Sequence, residues 1–231
     1  VPVTMTTAIS EVRALLNEPT AQFWSDTQLQ SWVNQGCQDV ARRGETLWQE
    51  VNIQTFPNQQ NYSFPGDFLD MHRAEFTIAN SQQTFNLEYR GINQMDEIWG
   101  ILHSLPAAWP QYCTIRQNTG NGPFIMLYPA PAASGYLTVY YYRTAVPAVS
   151  GGNPANLDCM TGWEDIVYDY AVYKAKRADQ DPTWQDAKQI YEFNLIEMIN
   201  KTRSLSDQAE TVTTGIPQWP IYAYGGDSGI F

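Results

Sequence analysis

The sequence predicts an α+β protein: two helical hairpins that form a four-helix unit, with an antiparallel β region inserted between them. Three observations predict it. Apolar residues follow a helical period before about residue 50 and after about 148, and a two-residue period between. Capping signals stand where the helices should begin. Turns rich in Gly, Pro and Asn separate the strand-like runs. The expected units are 1–49, an N-terminal helical hairpin; 50–147, an inserted sheet with sandwich-like character; 148–206, a C-terminal hairpin packing on 1–49; and 207–231, an extended arm.

Thr7 is placed to cap a first helix with Ile9, Val12, Leu15 and Leu16 inside, ended by Asn17 and Pro19. In "FWSDTQLQ", Ser25 followed by Gln28 reads as a capping box, with Trp24 and Leu29 placed as the hydrophobic staple. Leu29, Trp32, Val33, Gly36, Cys37, Val40 and Ala41 then share one face of a helix expected to run to about Trp48. Gly36 on that face admits a close backbone approach, at about 1 kcal/mol relative to Ala. Trp24 and Trp32 are read as core anchors that brace the hairpin, not as ligand platforms. So short a link between two helices makes them a hairpin.

From Val51 the period changes. Val51, Ile53 and Thr55 alternate with polar neighbours, and "PNQQN" turns the chain before "YSFP". Strand-like runs follow in "RAEFTIA", "TFNLEYR", "QYCTIRQ", "FIMLYPA" and "YLTVYYYRT". With "NTGNGP" and "PAPAASG" as turns, the last three read as an antiparallel meander. One helical interruption, "INQMDEIWGIL", precedes it.

Helical spacing then returns. Thr161 with Glu164 reads as a second capping box, before Trp163, Ile166, Val167, Tyr170 and Ala171. Asp181 and Pro182 read as an N-cap and first-turn proline for a stripe of Ala187, Ile190, Tyr191, Leu195, Met198 and Ile199, broken by Asn194. Beyond about Asp207 two prolines and four glycines forbid a regular element, yet the stretch is rich in aromatics. Ordering residues 216–231 costs roughly 1 kcal/mol each. Burying Ile216, Trp219, Ile221, Tyr222, Tyr224, Ile230 and Phe231 returns roughly 1.5–3 kcal/mol apiece. The two sums nearly cancel, so the arm holds only in a preformed groove. Ile216, Trp219, Ile221, Tyr222, Tyr224 and Phe231 are the partner-binding candidates.

Composition narrows the function. The 231 residues carry a formal net charge of −11, against non-specific nucleic-acid binding, which needs Lys and Arg to neutralise phosphate. No apolar run approaches the roughly 20 residues of a membrane helix, and the first residues lack signal-peptide character. Cys37, Cys113 and Cys159 lie far apart and are expected as free thiols in a reducing compartment. No catalytic, metal or cofactor constellation emerges. His72 and His103 are too few for a histidine metal cluster. "GDSG" at 226–229 lacks a following scaffold for an oxyanion hole, and "TGNGP" lacks the Lys-Ser/Thr of a phosphate cradle. Asp67 with Asp70, Asp96 with Glu97, and Glu164 with Asp165 are the carboxylate pairs a glycosidase would need, at separations sequence does not reveal. "ADQDPTWQDAK" lacks the glycine and terminal glutamate of an EF-hand.

Several stretches together resemble a known family. "EVRALLNEPTAQFWSDTQLQSWVNQGCQDVARR", "YSFPGDFLDMHR", "WPQYCTIRQ", "PFIMLYPAPAASGYLTVYYYRTA" and "GWEDIVYDYAVYKAKRADQD" are similar, in order and spacing, to bacteriophage head-to-tail adaptor proteins of the tail tubular protein A type. The resemblance spans about residues 7–200. It implies a non-enzymatic virion protein, without cofactor or membrane, made in the host cytoplasm and located in the neck. It further implies a cyclic homo-oligomer, commonly of twelve copies, between the portal protein and the next tail, nozzle or tube protein, with DNA passing through unbound. An acidic lumen suits that passage by repelling phosphate. The alternative is an aromatic-rich carbohydrate-binding or polysaccharide-degrading tail protein, with Trp109, Tyr140, Tyr141 and Tyr142 as platforms. Alternation puts Tyr140 and Tyr142 on one face and Tyr141 on the other, so that row is not continuous.

Overall fold

The computed structural model describes residues 2–18, 20–79, 83–91, 93–94, 97, 107–118 and 122–213. Among them are four helices and a seven-stranded mixed sheet, an α+β arrangement.

Helix α1 spans Met5–Leu15 and α2 spans Asp26–Gly44. The cap of α1 is Thr4, not Thr7: its Oγ1 accepts from Thr7 N–H at 3.2 Å. The earlier start comes from Met5 N–H donating to the Ala155 carbonyl at 2.7 Å, which fixes the chain one turn sooner. Leu15, expected inside, is 53% exposed. The Ser25 capping box is present in both directions, Gln28 N–H to Ser25 Oγ and Ser25 N–H to Gln28 Oε1. Helix α2 stops at Gly44 instead of near Trp48, because Glu45 adopts the left-handed conformation at φ 51° that ends a helix. A methyl at Gly44 would also stand 2.7 Å from Met198 Cε.

Seven strands follow: β1 Trp48–Thr55, β2 Asn61–Ser63, β3 Phe68–Ile78, β4 Thr84–Tyr89, β5 Tyr112–Asn118, β6 Gly122–Tyr128 and β7 Gly135–Arg143. Their order is β1-β7-β3-β4-β5-β6-β2. Every pair is antiparallel except β4 with β5, a parallel joint of two residue pairs, so the sheet is not purely antiparallel as expected. The meander is also corrected. β5 and β6 form the hairpin, but β7 leaves β6 and inserts between β1 and β3. There Leu137, Val139 and Tyr141 of β7 are fully buried on one face, and β1 and β3 pair its backbone along both edges. Residues of "INQMDEIWGIL" lie mostly outside the described residues.

Helix α3 spans Glu164–Ala178 and α4 spans Trp184–Thr213. The second capping box does not form. Trp163 occupies the N-cap position without a side-chain cap bond, since Gly162, at φ +90°, turns the chain after Thr161, and Glu164 accepts instead from Gly162 N–H at 2.8 Å. Helix α4 begins two residues after Pro182, because Asp181 Oδ1 accepts from Thr183 N–H and Oγ1 at 2.8 Å each. Its far end passes Asp207, where the extended arm was expected to begin. Ala187, Tyr191, Leu195 and Met198 are buried as expected; Ile190 is 55% exposed instead.

Two apolar cores result. Residues of all four helices share one, including Met5, Val12, Leu29, Val33, Val167, Tyr191 and Leu195. The other lies in the sheet, around Phe76, Ile125, Leu127, Leu137, Val139 and Tyr141. What meets Gly36 in the helical core is side chain, not backbone: an added Cβ there would stand 3.1 Å from Val167 and 3.3 Å from Tyr170.

Candidate interaction surfaces

The two cores are tied together by polar contacts. Arg143, ending β7, donates from Nη1 and Nη2 to Asp158 at 2.5 and 2.9 Å, and its N–H donates to the Leu47 carbonyl at 2.9 Å. Asp158 Oδ2 also accepts from Val146 N–H at 2.7 Å. Burial pushes the Asp158 carboxyl up, but the Arg143 and Val146 bonds and the Arg143 charge outweigh it, leaving the pKa below the ordinary value. Tyr141 donates to Asp67 Oδ1 at 3.1 Å, and burial, then that carboxylate, pushes the phenol up to about 12. Asn34 on α2 holds both backbone groups of Ala148 at 2.9 Å. The Asp158 and Asn34 bonds thus hold the segment after β7 to β7 and to α2.

On the helical side a second network shapes the surface. Glu18 Oε1 accepts from the backbone N–H groups of Gln22, Phe23 and Trp24 at 2.6, 2.5 and 3.2 Å. Arg13, itself buried, donates to the Trp24 carbonyl at 2.7 Å and to Asp26 at 2.6 Å. The link after α1 is thus wrapped around one carboxylate. Burial pushes the Glu18 carboxyl up, and the three N–H bonds with the Arg13 charge carry it below the ordinary range. The wrapping leaves Phe23 outward, 79% exposed. Trp24 meets Trp32 edge-on at 5.1 Å, and both pack half-buried against the helical core.

Exposed apolar side chains are the outstanding feature. Leu15, Ile190, Phe193 and Ile196 lie bare on the helices, Phe193 at 68%, and Phe23 lies bare on the link after α1. Helical spacing alone puts Leu15 and Ile190 inside and passes over Phe193. The signal was the excess: α4 carries apolar residues on more than the one face needed to reach a core.

The structure also places the other candidates. His72 is exposed and lies against Trp48 at 4.6 Å; His103 lies outside the described residues. Tyr140 and Tyr142 are half-buried, Tyr140 beneath Arg73 at 4.2 Å, whereas Tyr141 is fully buried on the other face. Trp109 is 42% exposed beside the Ala108–Pro131 bridge, away from β7 in sequence. Asp67 is engaged by Tyr141, and Asp70 accepts from its neighbour Met71 N–H at 2.8 Å. Asp96 lies outside the described residues and Glu97 within them. Cys37 and Cys113 are buried free thiols, and Cys159 is free and half-buried. Cys37 and Cys159, distant in sequence, interact, and that neighbour, then burial, raises the Cys37 pKa. Among the described residues no group of three or more His, Cys, Asp or Glu is placed to hold a metal, and no helix is long and apolar enough to cross a membrane. Ile216, Trp219, Ile221, Tyr222, Tyr224 and Phe231, like "GDSG", lie outside the described residues.

A protein-family model described as SU10 adaptor protein matches residues 3–215. No curated protein matches the chain.

Proposed function

The chain belongs to the SU10 adaptor protein family, and from that premise we propose that this phage adaptor acts as a structural ring, commonly of twelve copies, between the portal protein and the next tail component. The match over residues 3–215 carries the reading, since it takes in both cores and the joint between them. The rest is physical support. Two cores pinned by Arg143, Asp158 and Asn34 give each subunit a rigid wedge with distinct helical and sheet surfaces. Exposed apolar side chains on the helices supply surface for repeated contacts, and a heterologous contact that closes on itself generates a ring. The net charge of −11 suits a lumen through which DNA slides without sticking. The arm, through Ile216, Trp219, Ile221, Tyr222, Tyr224 and Phe231, grips a different chain. Repetition around the ring turns its nearly balanced docking energy into avidity. The four helices form one unit interrupted by the β insertion, with the arm following it, in the neck of the virion.

A carbohydrate-binding reading gains nothing from the β7 tyrosines, because the middle one faces the core and the outer one at Tyr140 is covered by Arg73. Electron microscopy of the chain mixed with its portal tests the proposal. Rings stacked on the portal are expected, and a variant lacking 216–231 should fold but join particles poorly. A purified particle whose neck lacks the chain overturns the adaptor reading; normal incorporation of the truncated chain overturns the arm alone.

A further inference from the structure

Resting on the ring reading, we propose that the outward face of α4 is the seat for residues 214–231 of a second copy of the chain. Helix α4 has two apolar faces. Ala187, Tyr191, Leu195 and Met198 enter the helical core, while Ile190, Phe193 and Ile196 are 55%, 68% and 52% exposed. Side chains three residues apart are neighbours on a helix, so these three form one slanting ridge. Beside it Phe193 and Ile196, with Trp184, Lys188 and Glu192, border a depression of about 530 Å³. The Glu192 carboxylate is already held by Arg43 at 2.5 Å, so an uncharged occupant meets no free acid there.

The chain beyond α4 indicates the occupant. Residues 214–231 place Ile216, Trp219, Ile221, Tyr222 and Tyr224 within a short run and carry a single acidic or basic side chain, Asp227. Pro217 and Pro220 disfavour a helix there and favour extended chain, the form in which such a run lies along a ridge. Reach selects the second copy. From Met198, the last fully buried residue among the described side chains, α4 continues to Thr213, about 22 Å further at 1.5 Å per residue. The segment therefore starts roughly 30 Å from its own Phe193 and would spend about nine residues returning. Outward, residues 214–218 reach about 17 Å beyond Thr213 before the run from Trp219 to Tyr224 begins, so a neighbour's α4 lying beside that end of the helix receives the whole run. Arm of one copy into helix face of the next is a heterologous contact, the kind a ring requires.

The test uses the full chain. One preparation carries p-benzoylphenylalanine in place of Tyr222 and uniform ¹⁵N label; the other is unlabelled. After mixing and irradiation, crosslinked peptides are assigned by mass. Labelled arm joined to unlabelled peptides of α4 is the expected product. It should fall at least about five-fold when the unlabelled copy carries Phe193→Glu, and hold when it carries Tyr136→Glu on β7. Arm joined to α4 only within the labelled copy overturns the second-copy assignment. Arm joined to a different element of the unlabelled copy overturns the seat and leaves the ring standing. No crosslink between copies overturns the proposal too, and portal images judge the ring separately.

Discussion

The sheet and the helices both leave aromatic rings in solvent, but they do so differently. On the sheet the Trp48 and Tyr140 rings have company. Trp48, 51% exposed, meets His72 at 4.6 Å and Tyr142 at 5.0 Å, and Arg73 lies over Tyr140 at 4.2 Å. On the helical side Phe23, in the link between α1 and α2, and Phe193, on α4, are more exposed, at 79% and 68%. Aromatic content alone pointed to the tyrosine row of β7 as a binding surface. Tyr140, Tyr141 and Tyr142 are instead met by Arg73, Phe68 and Trp48, while Phe23 and Phe193 stand bare on the helical side.

The two regions differ as much inside, and the largest predicted effect probes that. A Cβ at Gly135, where β7 begins, would stand 2.4 Å from the Thr77 carbonyl oxygen and 2.9 Å from Phe76 Cζ. Paired backbone cannot yield, so Gly135→Ala should cost about 4 kcal/mol or more in urea unfolding, among the largest effects of single substitutions. Gly36 in the helical core faces side chains at 3.1–3.3 Å, which can shift by tenths of an ångström. There the gain of about 1 kcal/mol in helix propensity offsets the squeeze, and Gly36→Ala should stay within about 1.5 kcal/mol of wild type. Equal costs for the two would show that the cores yield alike.

Next in size is the joint between the regions. Asp158→Asn removes the charge paired with Arg143, whose side chain is 19% exposed, and should cost about 2–3 kcal/mol at pH 7, reduced from a fully buried pair by the remaining exposure. The sign with pH comes from the lowered carboxyl. Below its ordinary value the unfolded chain binds a proton sooner than the folded one, so the wild-type advantage is complete above that range and fades as pH falls through it toward the folded pKa. Unfolding curves of the two proteins should therefore converge in acid. A gap that persists at low pH would assign the effect to the Val146 bond instead of the charge.

Surface truncations refine the opening contrast at smaller scale. Trp48→Ala loses ring contacts and should cost about 1–2 kcal/mol. Phe193→Ala should change the isolated chain by only about 0.5 kcal/mol while weakening joining to particles. If thermal unfolding ranked them in reverse, Phe193 would be serving its own fold.

These differences also explain what was legible. Local signals were read correctly where one stretch decides them: the Ser25–Gln28 box, the period of β1 and β7, the β5–β6 hairpin. Strand partners were not, because nothing near Gly135 says that β7 must bypass β6 to sit between β1 and β3; that is set by backbone pairing with these distant strands and by the burial of one face, Leu137, Val139 and Tyr141. Caps failed where distant chain intervened, as when Ala155 holds Met5 and moves the start of α1 from Thr7 to Thr4. Leu15 and Ile190 were misjudged, and Phe193 was passed over, for a physical reason as well. Apolar periodicity marks a residue as buried against something, and a partner chain satisfies it as well as the core does.

The smallest effect is expected at Asp169, on the rim between those two regimes. Its carboxyl is raised, chiefly by burial, against the Asn194 amide that donates to it at 2.8 Å and with the nearby Asp165 adding to the rise. A raised carboxyl binds protons more tightly folded than unfolded, so its contribution to stability declines as pH rises from the ordinary value through the folded one. Asp169→Asn keeps an oxygen for Asn194 and removes the charge. It should therefore raise stability at pH 7 by a small amount, within about 0.5 kcal/mol, with the gain absent in acid. Asp169 shares its surface depression with Leu15 and Ile190. A partner seated there would dry the carboxyl further, so the benefit of Asn should be larger in assembled particles than in the free chain. Thermal melts of both forms measure the difference, and an equal benefit in the two would mean that this end of the helical surface stays wet after assembly.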